Sequence, residues 1–232
     1  MSGLIGNSII DPPYHYSVGE VVAIKFRTDR EALQRVLPPV LKLPDGPAYA
    51  AVRFVRQLRT TFGPYIGVYL GGFAELNGES RLHGLSGMKT NFRGTMAGQS
   101  VWGMPLQPGD VRMEWNGGDV LHMTAGRDDV DFVRASLCLE RRTEPPLDAW
   151  KQSYEIRRRS FEPDKNPNML CAVEVSRLAE TVEHWTASST LKLVGGDPRD
   201  DWSMFPVHEV VETRYSTGGN STLNGATLLA SW

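Results

Sequence analysis

The 232-residue chain has little cysteine, no long apolar run and no dominant charge. Cys138 and Cys171 stand far apart without metal-ligand spacing, which argues against a disulfide framework or zinc knuckle and suggests reduced, buried thiols. No stretch approaches the roughly 20 apolar residues of a membrane helix. Met1 to Asp11 has neither the basic start nor the apolar centre of a secretory leader, so the expected location is the cytoplasm, with no membrane partner. Twenty-five basic residues against 27 acidic ones leave a formal charge of -2, without the basic excess that nucleic acid attracts. His15, His83, His122, His184 and His208 form no H-x-H or H-E-x-x-H pattern, and no G-x-G-x-x-G or Walker sequence occurs. The expectation is therefore no metal and no cofactor. Gly98 to Gly103 misses the G-x-S-x-G elbow by one residue, which leaves Ser100 without the context of a serine nucleophile.

What is present is punctuation. Twenty-three glycines and 15 prolines divide short runs rich in Val, Tyr, Phe and Thr, as expected of sheets. The spacing predicts a mainly β protein (α+β) with strands over Tyr14 to Phe26, Ala48 to Arg56, Tyr65 to Leu76, Leu82 to Phe92, Val120 to Ala125, Val130 to Glu140, Val173 to Arg177, Thr181 to Leu193 and Val207 to Tyr215. Two helices are expected. Thr28-Asp29-Arg30-Glu31 has the form of a capping box, closed downstream by Pro38 and Pro39, and Pro146 to Arg159 carries Trp150 and Tyr154 at helical spacing. Arg157-Arg158-Arg159 suits a solvated face or a subunit contact. Length and composition favour one domain over residues 12–232, preceded by an extension of residues 1–11.

The segment Ala97-Gly98-Gln99-Ser100-Val101-Trp102-Gly103-Met104-Pro105-Leu106 resembles the Ala-Gly-Arg-Glu-x-x-Gly-x-Pro-Lys segment of the acetoacetate decarboxylase family. The likeness extends through Pro12-Pro13-Tyr14-His15-Tyr16, Thr28 to Pro38, Phe62-Gly63-Pro64-Tyr65, Leu191-Lys192-Leu193 and Phe205 to Val211. It implies an antiparallel β barrel or cone with a few short helices, an apolar pocket and a homo-oligomer. In that family the lysine after the proline is a nucleophilic amine, its pKa depressed by the pocket and a neighbouring cation, and the imine it forms is an electron sink. Here that position is Leu106. The family's other charged positions fall at Gly19 or Glu20, Val52, Gly67 and Gln99-Ser100.

Replacing charged side chains by Leu106, Gly67 and Val52 implies a larger, greasier cavity for a ligand bulkier and less anionic than acetoacetate. Gly19, Val52, Gly67, Met88, Ser100, Trp102 and Leu106 are its expected lining. Glu20, Tyr65, His122 and Gln99, together with Tyr69, are the polar groups with the chemistry of an acid, base or hydrogen-bond donor. Lys89 is a second amine, but alternation along a strand turns it away from any pocket that Met88 faces. Lys25 is expected to face solvent. Three readings stay open: an enzyme that acts without a Schiff base on a hydrophobic or polyketide-like carbonyl compound by cyclisation, isomerisation, dehydration or hydrolysis; a non-catalytic binder; and a β-keto acid decarboxylase with a relocated amine.

Overall fold

A computed structural model describes residues 12–144, 152–157, 168–178, 183–195 and 201–232. The expected extension, most of the second expected helix, and Arg158 and Arg159 lie outside them. The first strands run β1 (Tyr14–Thr28), β2 (Ala48–Thr60), β3 (Tyr65–Leu76) and β4 (Glu79–Lys89), with helix α1 (Arg30–Val36) between β1 and β2. Helix α2 (Phe92–Trp102) is followed by β5 (Leu106–Pro108), β6 (Asp110–Trp115), β7 (Val120–Arg127) and β8 (Val130–Thr143). Then come β9 (Gln152–Arg157), β10 (Asn168–Leu178), β11 (Glu183–Leu193), β12 (Glu209–Thr217) and β13 (Asn220–Ser231).

The strands form one sheet that branches at β1. On one side β1, β2, β3, β4, β9, β10 and β13 pair in that order, and β13 returns to β1, closing a ring. On the other, β1 continues through β12, β11, β8 and β7 to β6. Most contacts are antiparallel, as expected of the fold, while β4 pairs with β5 and with β9 in parallel. The segment expected as a second helix instead contributes β9, because Gln152 and Ser153 complete the ring against Leu82 and His83. Tertiary pairing has overridden the helical spacing of its aromatics.

Alternation gives the ring wall two buried faces. Val22, Ile24 and Phe26 of β1, Val52 and Phe54 of β2, Val68 and Leu70 of β3 and Met88 of β4 enter one large core shared with β6, β7 and β8. Arg53, Val55, Gly67, Tyr69 and Lys89 point the other way by the period of two. Burial on that face also comes from α2 and β5. Asn91 caps α2 by accepting from the Gly94 N–H at 3.0 Å, and Gly103 ends it with a left-handed φ of 61°. Asn91 Nδ2 donates to the carbonyls of Phe62 and Pro64, which ties the helix start to the β2–β3 turn. At α1 the expected capping box does not form. Asp29 is the cap residue, and its carboxylate is engaged instead by His208 Nε2 at 2.6 Å, while the buried Thr28 Oγ1 has no partner among the described residues.

Candidate active site

Two rows of residues cross the ring wall. Arg53, Tyr69, Gly87 and Leu106 are successive partners across β2, β3, β4 and β5, and one pair of residues further along come Val55, Gly67, Lys89 and Pro108. Glycine at 67 and 87 removes side chains where the rows must be crowded. A Cβ at Gly87 would sit 2.8 Å from Leu106 Cδ2 and 3.0 Å from Tyr69 Cδ1, and one at Gly67 would sit 3.1 Å from the Tyr69 hydroxyl and 3.4 Å from Lys89 Cγ.

Lys89 is 5% exposed. Its Nζ donates to the Gly94 carbonyl at 3.1 Å and lies 4.9 Å from the centre of the Tyr65 ring. Burial pulls its pKa from 10.5 down to about 8, because an ammonium there loses its water. Leu106 shares this corner: a Cβ at Gly98 would be 2.4 Å from Leu106 Cδ1 and 3.8 Å from Lys89 Nζ. The alternation that separates Met88 from Lys89 holds, but with the faces exchanged. Met88 belongs to the packed core, and Lys89 shares the Leu106 side.

Beside Leu106 lies a small, partly open cleft of about 20 Å³, room for about one water molecule, lined among others by Arg53, Tyr69, Gly71, Leu82, Leu106 and Gln152. Leu106 and Tyr69 thus stand between the cleft and the amine. Arg53 is partly buried, and among the described residues no carboxylate or carbonyl pairs with its guanidinium.

The other expected site residues divide. Tyr65 and Gly67 join Lys89 and Leu106, whereas Val52 and Met88 lie on the opposite face in the core. Glu20 is also on that face. Its Oε1 accepts from Trp115 Nε1 at 2.8 Å and from the Tyr215 hydroxyl at 3.0 Å. Arg56 Nε lies 2.8 Å from Oε2, an ion pair in which the N–H does not point at the oxygen. Burial, then the Glu20 charge, raises the Tyr215 pKa, so the phenol remains a donor. This carboxylate is occupied as a structural acceptor. His122 is exposed on β7, opposite Glu114 and Ser136, on the other branch of the sheet. Gln99 and Ser100 are exposed at the end of α2, with Gln99 Nε2 donating to the Leu106 carbonyl. Gly19 lies against Leu58, and the Trp102 side chain is outside the described atoms. Lys25, expected to face solvent, sits 4.8 Å from the Tyr49 ring centre and 4.6 Å from that of Phe73. Of the two free cysteines, Cys171 is buried and Cys138 is exposed. Among the described residues no three His, Cys, Asp or Glu side chains gather as a metal site.

Sequence reasoning did not single out Arg53, and it set Met88 rather than Lys89 on the side of β4 that carries Leu106. The signal lay in the alternation of β2 and β3, where Arg53, Gly67, Tyr69 and Gly71 share a period of two.

The family model for acetoacetate decarboxylase matches residues 5–231. A curated acetoacetate decarboxylase of Streptomyces nogalater is 27% identical over 191 residues, covering 78% of this chain and 75% of that protein. The solved acetoacetate decarboxylase of Legionella pneumophila superposes with a TM-score of 0.80 at 19% identity, covering 100% of this chain and 93% of the other. The enduracididine biosynthesis enzyme MppR, solved with the condensation product of pyruvate and imidazole 4-carboxaldehyde, gives a TM-score of 0.79 at 23% identity over 97% and 92% of the two chains.

Proposed function

The chain belongs to the acetoacetate decarboxylase family, and we propose that it is a lyase-type enzyme that captures the carbonyl of a small molecule as an imine on Lys89. The observation that carries this reading is a buried amine of lowered pKa against Leu106, the residue standing where the family resemblance expects the lysine. It favours the relocated amine over an enzyme without a Schiff base and over a simple binder.

The chemistry follows from the neutral amine. Its lone pair attacks the carbonyl carbon, the carbonyl π electrons pass to oxygen and are protonated, and loss of water leaves an imine. Once protonated, that imine accepts the electron pair of a bond at the adjacent carbon, to carboxylate carbon or to hydrogen, as it breaks. The resulting enamine is reprotonated, and water returns the amine and the product ketone. Tyr65 and the Gly94 carbonyl hold the Nζ, and the Tyr69 hydroxyl lies against Gly67, as does the Lys89 side chain. In a water-poor corner such fixed dipoles act with little reorganisation.

The test is borohydride reduction after incubation with a panel of carbonyl compounds, read by intact mass and peptide mapping. An adduct on Lys89 that Lys89→Ala and Lys89→Arg abolish supports the reading. Turnover without any adduct would return the reaction to a Schiff-base-free mechanism.

A further inference from the structure

We propose that Arg53 is the anchor for a carboxylate that stays on the substrate, so that the site takes carbonyl compounds bearing a second, remote acid group. This rests on the amine reading for its account of the carbonyl end, and on the cleft alone for the acid end.

Arg53 enters the cleft from β2, on the same face as Tyr69 and Leu106. A partly buried arginine without a carboxylate partner among the described residues has unused donors. The planar guanidinium fork matches a carboxylate in two-point hydrogen bonding. Lys25, on the same face, is held between Tyr49 and Phe73, and Arg56, three residues further along β2, faces the other side and pairs with Glu20. Arg53 is therefore the cleft's free anion receptor, against the expectation of a less anionic ligand.

Register decides which acid it can hold. Arg53 and Lys89 lie two strands apart and one row apart. With strands about 4.8 Å apart and about 3.3 Å per residue, their Cα atoms are roughly 12 Å apart. Tyr69 and Leu106 fill the space between them, so a ligand that reaches both must move Leu106 aside, with its acid on Arg53 and its carbonyl on Lys89. A guanidinium also stabilises a carboxylate in the ground state, and such solvation opposes its departure as carbon dioxide. The anchored group is thus a spectator, and the bond broken lies beside the imine.

The experiment measures binding of pentanoate and of pentanamide, which cannot form an imine, by NMR titration to wild type, Arg53→Gln, Arg53→Lys and Lys89→Ala. Borohydride trapping of 4-oxopentanoate against 4-oxopentanamide follows. Wild type should prefer the acid by about ten- to a hundredfold, the scale of one charge-assisted contact. Arg53→Gln should erase that preference, Arg53→Lys should retain part of it, and Lys89→Ala should leave it in place; the trapped 4-oxopentanoate adduct should keep its carboxylate mass. Equal binding of acid and amide, binding of neither, or a preference that survives in Arg53→Gln overturns the proposal. A preference without any Lys89 adduct would leave the anchor standing and remove the imine mechanism, whereas an adduct without a preference would do the reverse.

Discussion

The pH dependence of amine capture follows from the Lys89 environment. With a pKa of about 8 in place of 10.5, roughly a tenth of the amine is neutral at pH 7, against roughly one part in three thousand unperturbed, a gain of about three hundredfold in nucleophile. The initial rate of borohydride-trapped adduct formation should rise about tenfold per pH unit below pH 8 and level off above it, a span of about ninetyfold between pH 6 and pH 9. The assay is quenched-flow trapping with quantitative intact mass. A rate that keeps climbing tenfold per unit to pH 10 would mean that the reacting amine is an ordinary exposed lysine, and would refute the assignment. Stability carries the same signature. The folded state releases this proton near pH 8 and the unfolded chain only near 10.5, so between those values the unfolded chain binds more protons and stability rises with pH, by on the order of 3 kcal/mol. Urea unfolding at pH 7.5 and pH 10 should show that rise in wild type and lose it in Lys89→Met.

Leu106 is 2% exposed, so Leu106→Ala should cost about 2–4 kcal/mol in chemical denaturation while widening the passage from cleft to amine and raising the trapping rate for bulky ketones. Gly98→Ala would place a methyl 2.4 Å from Leu106 Cδ1, and should lower both the thermal midpoint and the adduct yield, because Leu106 must move into the amine's corner. Glu20→Ala should destabilise by about 1–3 kcal/mol, since Trp115 and Tyr215 lose their shared acceptor and Arg56 its ion-pair partner, while leaving trapping on Lys89 unchanged. Lost trapping in a folded Glu20→Ala protein would put that carboxylate in the reaction.

Much of the fold could be read from the chain because its cues are local. The runs from Tyr14, Ala48 and Tyr65 start strands where glycine, proline and β-branched residues put them, and β3 coincides with its expected bounds. The motif around Pro105 pointed to the family from residue identities alone, and Leu106 lies in the wall of the cleft. Where partners distant in sequence decide, local cues failed. α2 carries glycines at 94 and 98 that weaken helical propensity, yet it forms because Asn91 caps it and a ring of strands needs covering. Gln152–Arg157 carries a helical pattern and becomes the strand that closes that ring.

The sequence by itself determined the alternation that sets Met88 and Lys89 on opposite sides of one strand, because side-chain direction follows from a period of two. Which side would be packed core and which would hold an amine was decided only by the tertiary structure. β6, β7 and β8 fill the Met88 side with apolar residues, while α2 and β5 cover the Lys89 side and strip the amine of water. Nucleophilicity here is a property of that covering, and no local stretch of sequence encodes it.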